Sequence, residues 1–135
     1  MSRTVIDEFG KKTYDDHGRL IYRKDFDGDE RWYEYGSNRK NIHVKYSDGD
    51  EEWYEYDQHG NCIHSKNSFG YESWSEYDDH GNCIHFKNSY GAEEWHEYDE
   101  NGNEIHYKNS NGYEAWYDSN GKRISKEEYD QLHAV

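Results

Sequence analysis

Apolar and polar positions alternate along most of this chain, and the alternation restarts every 21 residues. Residues 83–89 (CIHFKNS) and 92–98 (AEEWHEY) show the pattern within one unit. Two period-2 runs of this length, each closed by a glycine, predict two short strands, so each unit is one β-hairpin. Trp recurs at 32, 53, 74, 95 and 116, Ile at 21, 42, 63, 84 and 105, and Lys at 24, 45, 66, 87 and 108. So regular a period marks a repeat architecture. The predicted fold is all-β: antiparallel β-hairpin repeats of 21 residues forming one long twisted or curled meander sheet, with a short C-terminal helix. A single hairpin is not stable alone, so neighbouring units must complete one another.

The turns set the register. The first turn of each unit ends in Gly28, Gly49, Gly70, Gly91 or Gly112, and its Asp-Gly and Asn-Gly forms predict two-residue type I′ loops. The second, such as Asp78 to Gly81, predicts a three-residue loop with a left-handed glycine. These loops pair Ser68 with Tyr71 and Tyr77 with Cys83. One even and one odd loop keep equivalent residues on one face. On that reading a Trp spine alternates with Arg23, Val44, Ser65, Phe86 and Tyr107. It is flanked by the Ile column with Glu34, Glu55, Glu76 and Glu97, and by Glu30, Glu51, Glu72, Glu93 and Glu114. The histidines and lysines fall on the opposite face, and curling buries the Trp spine on a concave side. The reading treats 1–135 as one domain, with an atypical hairpin over 1–13, repeats over 14–121 and a capping helix over 125–135. That helix opens with a capping box, Ser125 to Glu128.

Composition changes this picture in one respect. Aromatics make up 18% of residues but the whole hydrophobic class only 31%, and Leu and Val are scarce. Stability must therefore come from cross-strand ladders and regular hydrogen bonding rather than a thick core. Cys62 and Cys83 take equivalent positions two strands apart, roughly 9.6 Å. A disulfide needs Cα atoms within about 7 Å, so two thiols are expected.

Charge narrows the partners. The formal net charge is -14, which disfavours nucleic acid and anionic membrane surfaces and favours a basic partner. No apolar segment approaches the roughly 20 residues of a membrane span, and no secretory h-region follows Met1, so the chain is expected in the cytoplasm.

Candidate chemistry is sparse. His85, His96 and His106 come close enough in this register to share a metal ion, but such a row is more often a stacked aromatic ladder, so no metal is expected. Repeated glutamates offer paired carboxylates, yet an active site is a unique constellation rather than a periodic surface. The sequence therefore argues against an enzyme and implies no cofactor.

Tyr56-Asp57-Gly60-Asn61, Tyr77-Asp78-Gly81-Asn82 and Tyr98-Asp99-Gly102-Asn103, with Tyr14-Asp15-Gly18 before them, resemble the YD repeat of RHS-type proteins over residues 14 to about 121. The resemblance implies curling β-hairpin sheets, which in that family usually belong to very large secreted toxin shells. A small acidic chain of this kind is similar to the immunity proteins of contact-dependent growth inhibition or RHS toxin systems. What that implies is a monomer binding a basic, nuclease-type toxin one to one. The contact residues expected are Glu51, Glu55, Glu72, Glu76, Glu93 and Glu97, with Trp53, Trp74 and Trp95. A carbohydrate-binding aromatic repeat and a structural module without fixed ligand remain as alternatives.

Overall fold

A computed structural model describes residues 2–36 and 42–134. Thirteen strands follow one another in sheet order, β1 to β13, and every described pairing is antiparallel. The chain divides into two compact units, Met1–Tyr71 and Glu72–Val135. The first holds β1 (Arg3–Asp7), β2 (Gly10–Tyr14), β3 (Leu20–Asp25), β4 (Glu30–Tyr35), β5 (Ile42–Tyr46), β6 (Glu51–Tyr56) and β7 (Cys62–Asn67). The second holds β8 (Glu72–Tyr77), β9 (Cys83–Asn88), β10 (Glu93–Tyr98), β11 (Glu104–Asn109), β12 (Glu114–Tyr117), β13 (Arg123–Ile124) and α1 (Lys126–Leu132). Ser125 caps the helix, its Oγ accepting from Glu128 N–H at 3.1 Å. The all-β hairpin array and its closing helix are as the periodicity predicts.

The register corrects the sequence reading. The first turn is not a two-residue loop. In the β9–β10 connection Asn88 N–H donates to Ala92 C=O at 3.0 Å and Gly91 N–H to Asn88 C=O at 3.2 Å, so three residues lie in the loop. The second turn has the same form: Asp78 N–H donates to Asn82 C=O at 2.9 Å and Gly81 N–H to Asp78 C=O at 3.1 Å. Each of these two loops opens on an Asx residue whose side chain holds it. Asn88 Oδ1 accepts from Tyr90 and Ala92 N–H, and Asp78 Oδ1 from His80 and Asn82 N–H. Such side-chain capping is what makes Asn and Asp turn formers. The second turn of the repeat between β4 and β5 falls on residues 37–41, outside the described residues.

Two odd loops alone would flip the faces from hairpin to hairpin, and a bulge prevents this. Tyr77 lies opposite Cys83 as expected, but Glu76 lies opposite His85, so Ile84 is left over. The same step omits Ile21, Ile63 and Ile105 from their ladders. At these four repeats the Ile position is thus the bulge position, not a row beside Trp, whereas Ile42 pairs regularly with Tyr35 and Tyr54. A β-bulge adds one residue to one strand of a pair, and that residue restores the parity. Repeated registers then shift each hairpin by two residues along the strand direction relative to the last, within each unit. The Trp residues of a unit therefore keep one face but form a stepped row.

The faces are redistributed accordingly. Directly opposed residues share a face, and Trp95 lies opposite His85 on one side and Lys108 on the other. Histidines and lysines at these repeat positions thus join the Trp face. Phe86 lies opposite Glu94 and Tyr107 opposite His96, on the reverse face. Val44 does likewise, opposite Tyr33 and Glu52. Nor is the Trp spine the buried layer: Trp32, Trp53, Trp74 and Trp95 are 36–40% exposed. Among the described residues Val44 and Ala115 are the buried apolar side chains, and both lie on the reverse face. Among the described residues, no helix is long and apolar enough to cross a membrane.

Candidate functional site: a Trp–His–Glu face

The Trp face repeats one arrangement. The glutamate two residues after Trp32, Trp53, Trp74 and Trp95 meets a histidine on the following strand. His43, His85 and His106 also meet a glutamate at the start of the strand after them. In the first unit His43 Nδ1 lies 3.7 Å from Glu34 and His43 Nε2 lies 3.2 Å from Glu51, while Glu55 meets His64 at 3.3 Å. In the second unit His85 lies 3.1 Å from Glu76 and 2.6 Å from Glu93, and His106 lies 2.9 Å from Glu97 and 2.6 Å from Glu114. A neutral imidazole has one N–H, so it satisfies only one of two carboxylates. Both nitrogens donate only in the imidazolium form, and at His85 and His106 that form is favoured. Hydrogen bonds donated to Glu93 and then Glu76 raise the His85 pKa. Burial opposes charge at His106, but Glu97 and Glu114 outweigh it, and its pKa is also raised.

His43, His85 and His106 are each also half of an aromatic stack. His43 lies on Trp53 at 4.9 Å between ring centroids and 6° between planes, His85 on Trp95 at 5.5 Å and 14°, and His106 on Trp116 at 5.4 Å and 11°. From the next strand Lys66 Nζ stands 6.0 Å from the Trp53 ring and Lys108 Nζ 5.9 Å from that of Trp95. Trp53 and Trp95 are therefore flanked on both sides, imidazole to one and ammonium to the other, which leaves ring edges rather than an open ring plane. Beside this ladder lie shallow niches. One of about 280 Å³ is lined by Trp32, Glu34, His43 and Lys45, and one of about 320 Å³ by Trp74, Glu76, His85 and Lys87.

Of the residues singled out from sequence, Glu51, Glu55, Glu76, Glu93 and Glu97 all lie on this face in histidine contacts, together with Trp53 and Trp95. Trp74 lines the second niche. Glu72 opens β8 at the position that Glu93 and Glu114 take in the next hairpins, its N–H donating to Ser89 Oγ at 3.0 Å. The sequence reading missed His43, His85 and His106 as members of the same face. The signal was present: Asn88-Ser-Tyr-Gly91 has the same Asx-x-x-Gly form as Asp78-Asp-His-Gly81, which argues for equal loop lengths.

The expected histidine trio dissolves in the corrected register. His96 projects from the reverse face, where it meets Glu104 at 3.2 Å and Tyr107 ring to ring at 5.0 Å, so it does not converge with His85 and His106. At the β3–β4 turn Asp25, Asp27 and Asp29 bring one carboxylate oxygen each within 4.8 Å of one another. Asp27 and Asp29 are exposed there, as acidic turn residues commonly are. Cys62 and Cys83 are both thiols.

No family model matches the sequence, and no curated protein matches it. Its fold is similar to that in crystal structures of TcdB2-TccC3-Cdc42, TcdB2-TccC3-TEV and TcdB2-TccC3, with TM-scores of 0.62, 0.63 and 0.63. Identity is 16% in each, over 91% of this chain and 8% of the other. The likeness is one of fold, a β-hairpin repeat sheet of the YD/RHS kind, and this chain spans only that small fraction of those structures' chains.

Proposed function

We propose that this chain is a binding protein whose Trp–His–Glu face takes a basic protein, as an immunity protein takes a nuclease-type toxin in the cytoplasm of a cell that practises contact-dependent competition. One observation carries the reading. Glu34 and Glu55 in the first unit, and Glu76 and Glu97 in the second, stand beside the Trp residues of their own unit, and they remain 81%, 53%, 70% and 61% exposed while contacting histidine. Half-exposed tryptophan ringed by acids suits a hot spot for a cationic surface, and the charge of -14 steers such a partner inward. The flanked Trp rings support a carbohydrate platform less well, since stacking on a sugar needs a free ring plane. A structural hairpin module is the second reading, favoured by the 8% coverage of much longer chains.

The test is co-expression with a toxin encoded beside the gene, using the native chain and a variant carrying Glu34→Lys, Glu55→Lys, Glu76→Lys and Glu97→Lys. The native chain should protect, the variant should not, and the association rate should fall as salt rises. Cells that die as fast with the native chain as without it, with no complex at low salt, would overturn the reading in favour of the structural module.

A further inference from the structure

We propose that His85 and His106 are internal placeholders for the partner's cations, so that a basic partner docks on the Trp face by exchanging its guanidinium or ammonium groups for imidazolium protons. The inference rests on the binding role proposed above and adds its chemistry. Each carboxylate pair, Glu76 with Glu93 and Glu97 with Glu114, already holds a cation in the free protein when the histidine between them is protonated. Glu76 and Glu97, 70% and 61% exposed, are the reachable members, whereas Glu93 and Glu114 are 28% and 35% exposed. A guanidinium arriving at Glu76 or Glu97 meets a carboxylate whose charge the imidazolium partly neutralises. A second positive charge within about 4–6 Å disfavours protonation of the imidazole. The proton leaves the imidazole for bulk buffer, and the arriving cation replaces its charge. Docking therefore releases protons, and affinity for a polycation rises with pH until both histidines are neutral in the free protein.

The surroundings leave these groups in control. His85 faces Glu76 from β8, Glu93 from β10 and the Trp95 ring, with Lys87 on its own strand and Lys108 beyond the Trp95 ring. His106 faces Glu97 from β10, Glu114 from β12, the Trp116 ring and, from α1, Tyr129 at 6.0 Å, which in turn stacks on His133. His59 and His80, by contrast, are exposed turn residues and serve as internal controls.

The experiment uses a deca-arginine peptide with the full chain at low salt, titrated calorimetrically at several pH values in buffers of different ionisation enthalpy. The expected result is release of about one proton per complex near pH 7 and an affinity on the order of 10- to 100-fold higher at pH 8 than at pH 6, since log K rises with pH by the number of protons released. His85→Gln/His106→Gln should abolish most of the release, and His59→Gln/His80→Gln should leave it unchanged. Proton NMR of the wild-type imidazoles keeps the test independent of those variants: peptide should lower the pKa of His85 and His106. Binding without proton release, or release untouched by the His85/His106 pair, overturns this inference while the binding role stands. Failure of deca-arginine to bind at any pH overturns both.

Discussion

Gly10 is the position where one added methyl group should do most damage. It sits in β2 with φ +135°, opposite Asp7 on one side and Asp25 on the other. A Cβ there would stand 2.1 Å from the Lys24 carbonyl oxygen and 3.1 Å from Asp25 Cα. Carbon and oxygen pack no closer than about 3.3 Å in sheets, so β2 and β3 must separate by about 1.2 Å locally. That shift takes neighbouring hydrogen bonds beyond useful length, at about 1 kcal/mol each for one or two bonds. Holding Ala at this φ adds about 1–3 kcal/mol. Gly10→Ala should therefore cost about 2–5 kcal/mol in the first hairpin. Gly91→Ala is the control: φ is +89°, but nothing lies within 4 Å of the new Cβ, so only about 1–2 kcal/mol of left-handed strain applies. Amide hydrogen exchange across β1–β3 and β9–β10 reads both variants locally, which matters because an end hairpin can open without the rest. Protection in β1–β3 should fall more in Gly10→Ala than protection in β9–β10 falls in Gly91→Ala. Equal losses would refute the steric argument and the β2–β3 register with it.

Hydrogen bonds from Asn61, Asn82 and Asn103 backbone N–H hold the Asp57, Asp78 and Asp99 carboxyls below the usual aspartate range. Their stabilisation is thus complete above the unfolded pKa near 3.8 and is lost as pH falls through the lower folded values; Asp78→Ala should reduce the acid sensitivity of unfolding, followed by circular dichroism between pH 2 and 5. Asp78→Asn should destabilise less than Asp78→Ala at neutral pH, since Asn88 fills the same role one turn later; equal urea midpoints would count against the capping account. Burial is the main cause of a raised Cys83 thiol pKa, so alkylation at pH 8 should be slower for Cys83 than for a model thiol, and thiol titration of the denatured chain without reductant should find two thiols. Ser125→Ala should cost α1 about 1 kcal/mol, seen as faster exchange at Glu128 N–H.

Much of the fold was legible because the period is a direct physical signal. A hairpin per 21 residues, a glycine at each turn and a capped closing helix all follow from local pattern. Register was not legible to the same degree, because it depends on a one-residue count. Reading Tyr90-Gly91 as the whole loop, rather than Ser89-Tyr90-Gly91, moves every strand by one position, and a slip of one exchanges faces. That slip placed Phe86 beside Trp95 and sent His85 to the far side. The glutamates survived the error because they share strands with the tryptophans, and parity within a strand is independent of pairing. The histidines did not, because they sit on the intervening strands. Ile84 is instructive as well: an apolar residue at a fixed repeat position suggests a core row, yet here it is the unpaired residue of a bulge.

The bulged isoleucine at Ile21, Ile63, Ile84 and Ile105 has a consequence for how such a chain changes over generations. With two odd loops and one extra residue, a whole 21-residue segment can be duplicated or lost by unequal recombination while every downstream side chain keeps its face. A single-residue insertion or deletion within a strand turns the rest of that strand over. Length is therefore quantised. The segment 77–97 brings five acids, one lysine and one tryptophan, so each recombination event changes the face by a fixed parcel, about four negative charges and one aromatic anchor. Avidity for an extended cationic surface would then climb or fall in discrete steps with copy number, offering selection a coarse dial beside the fine one of point substitution.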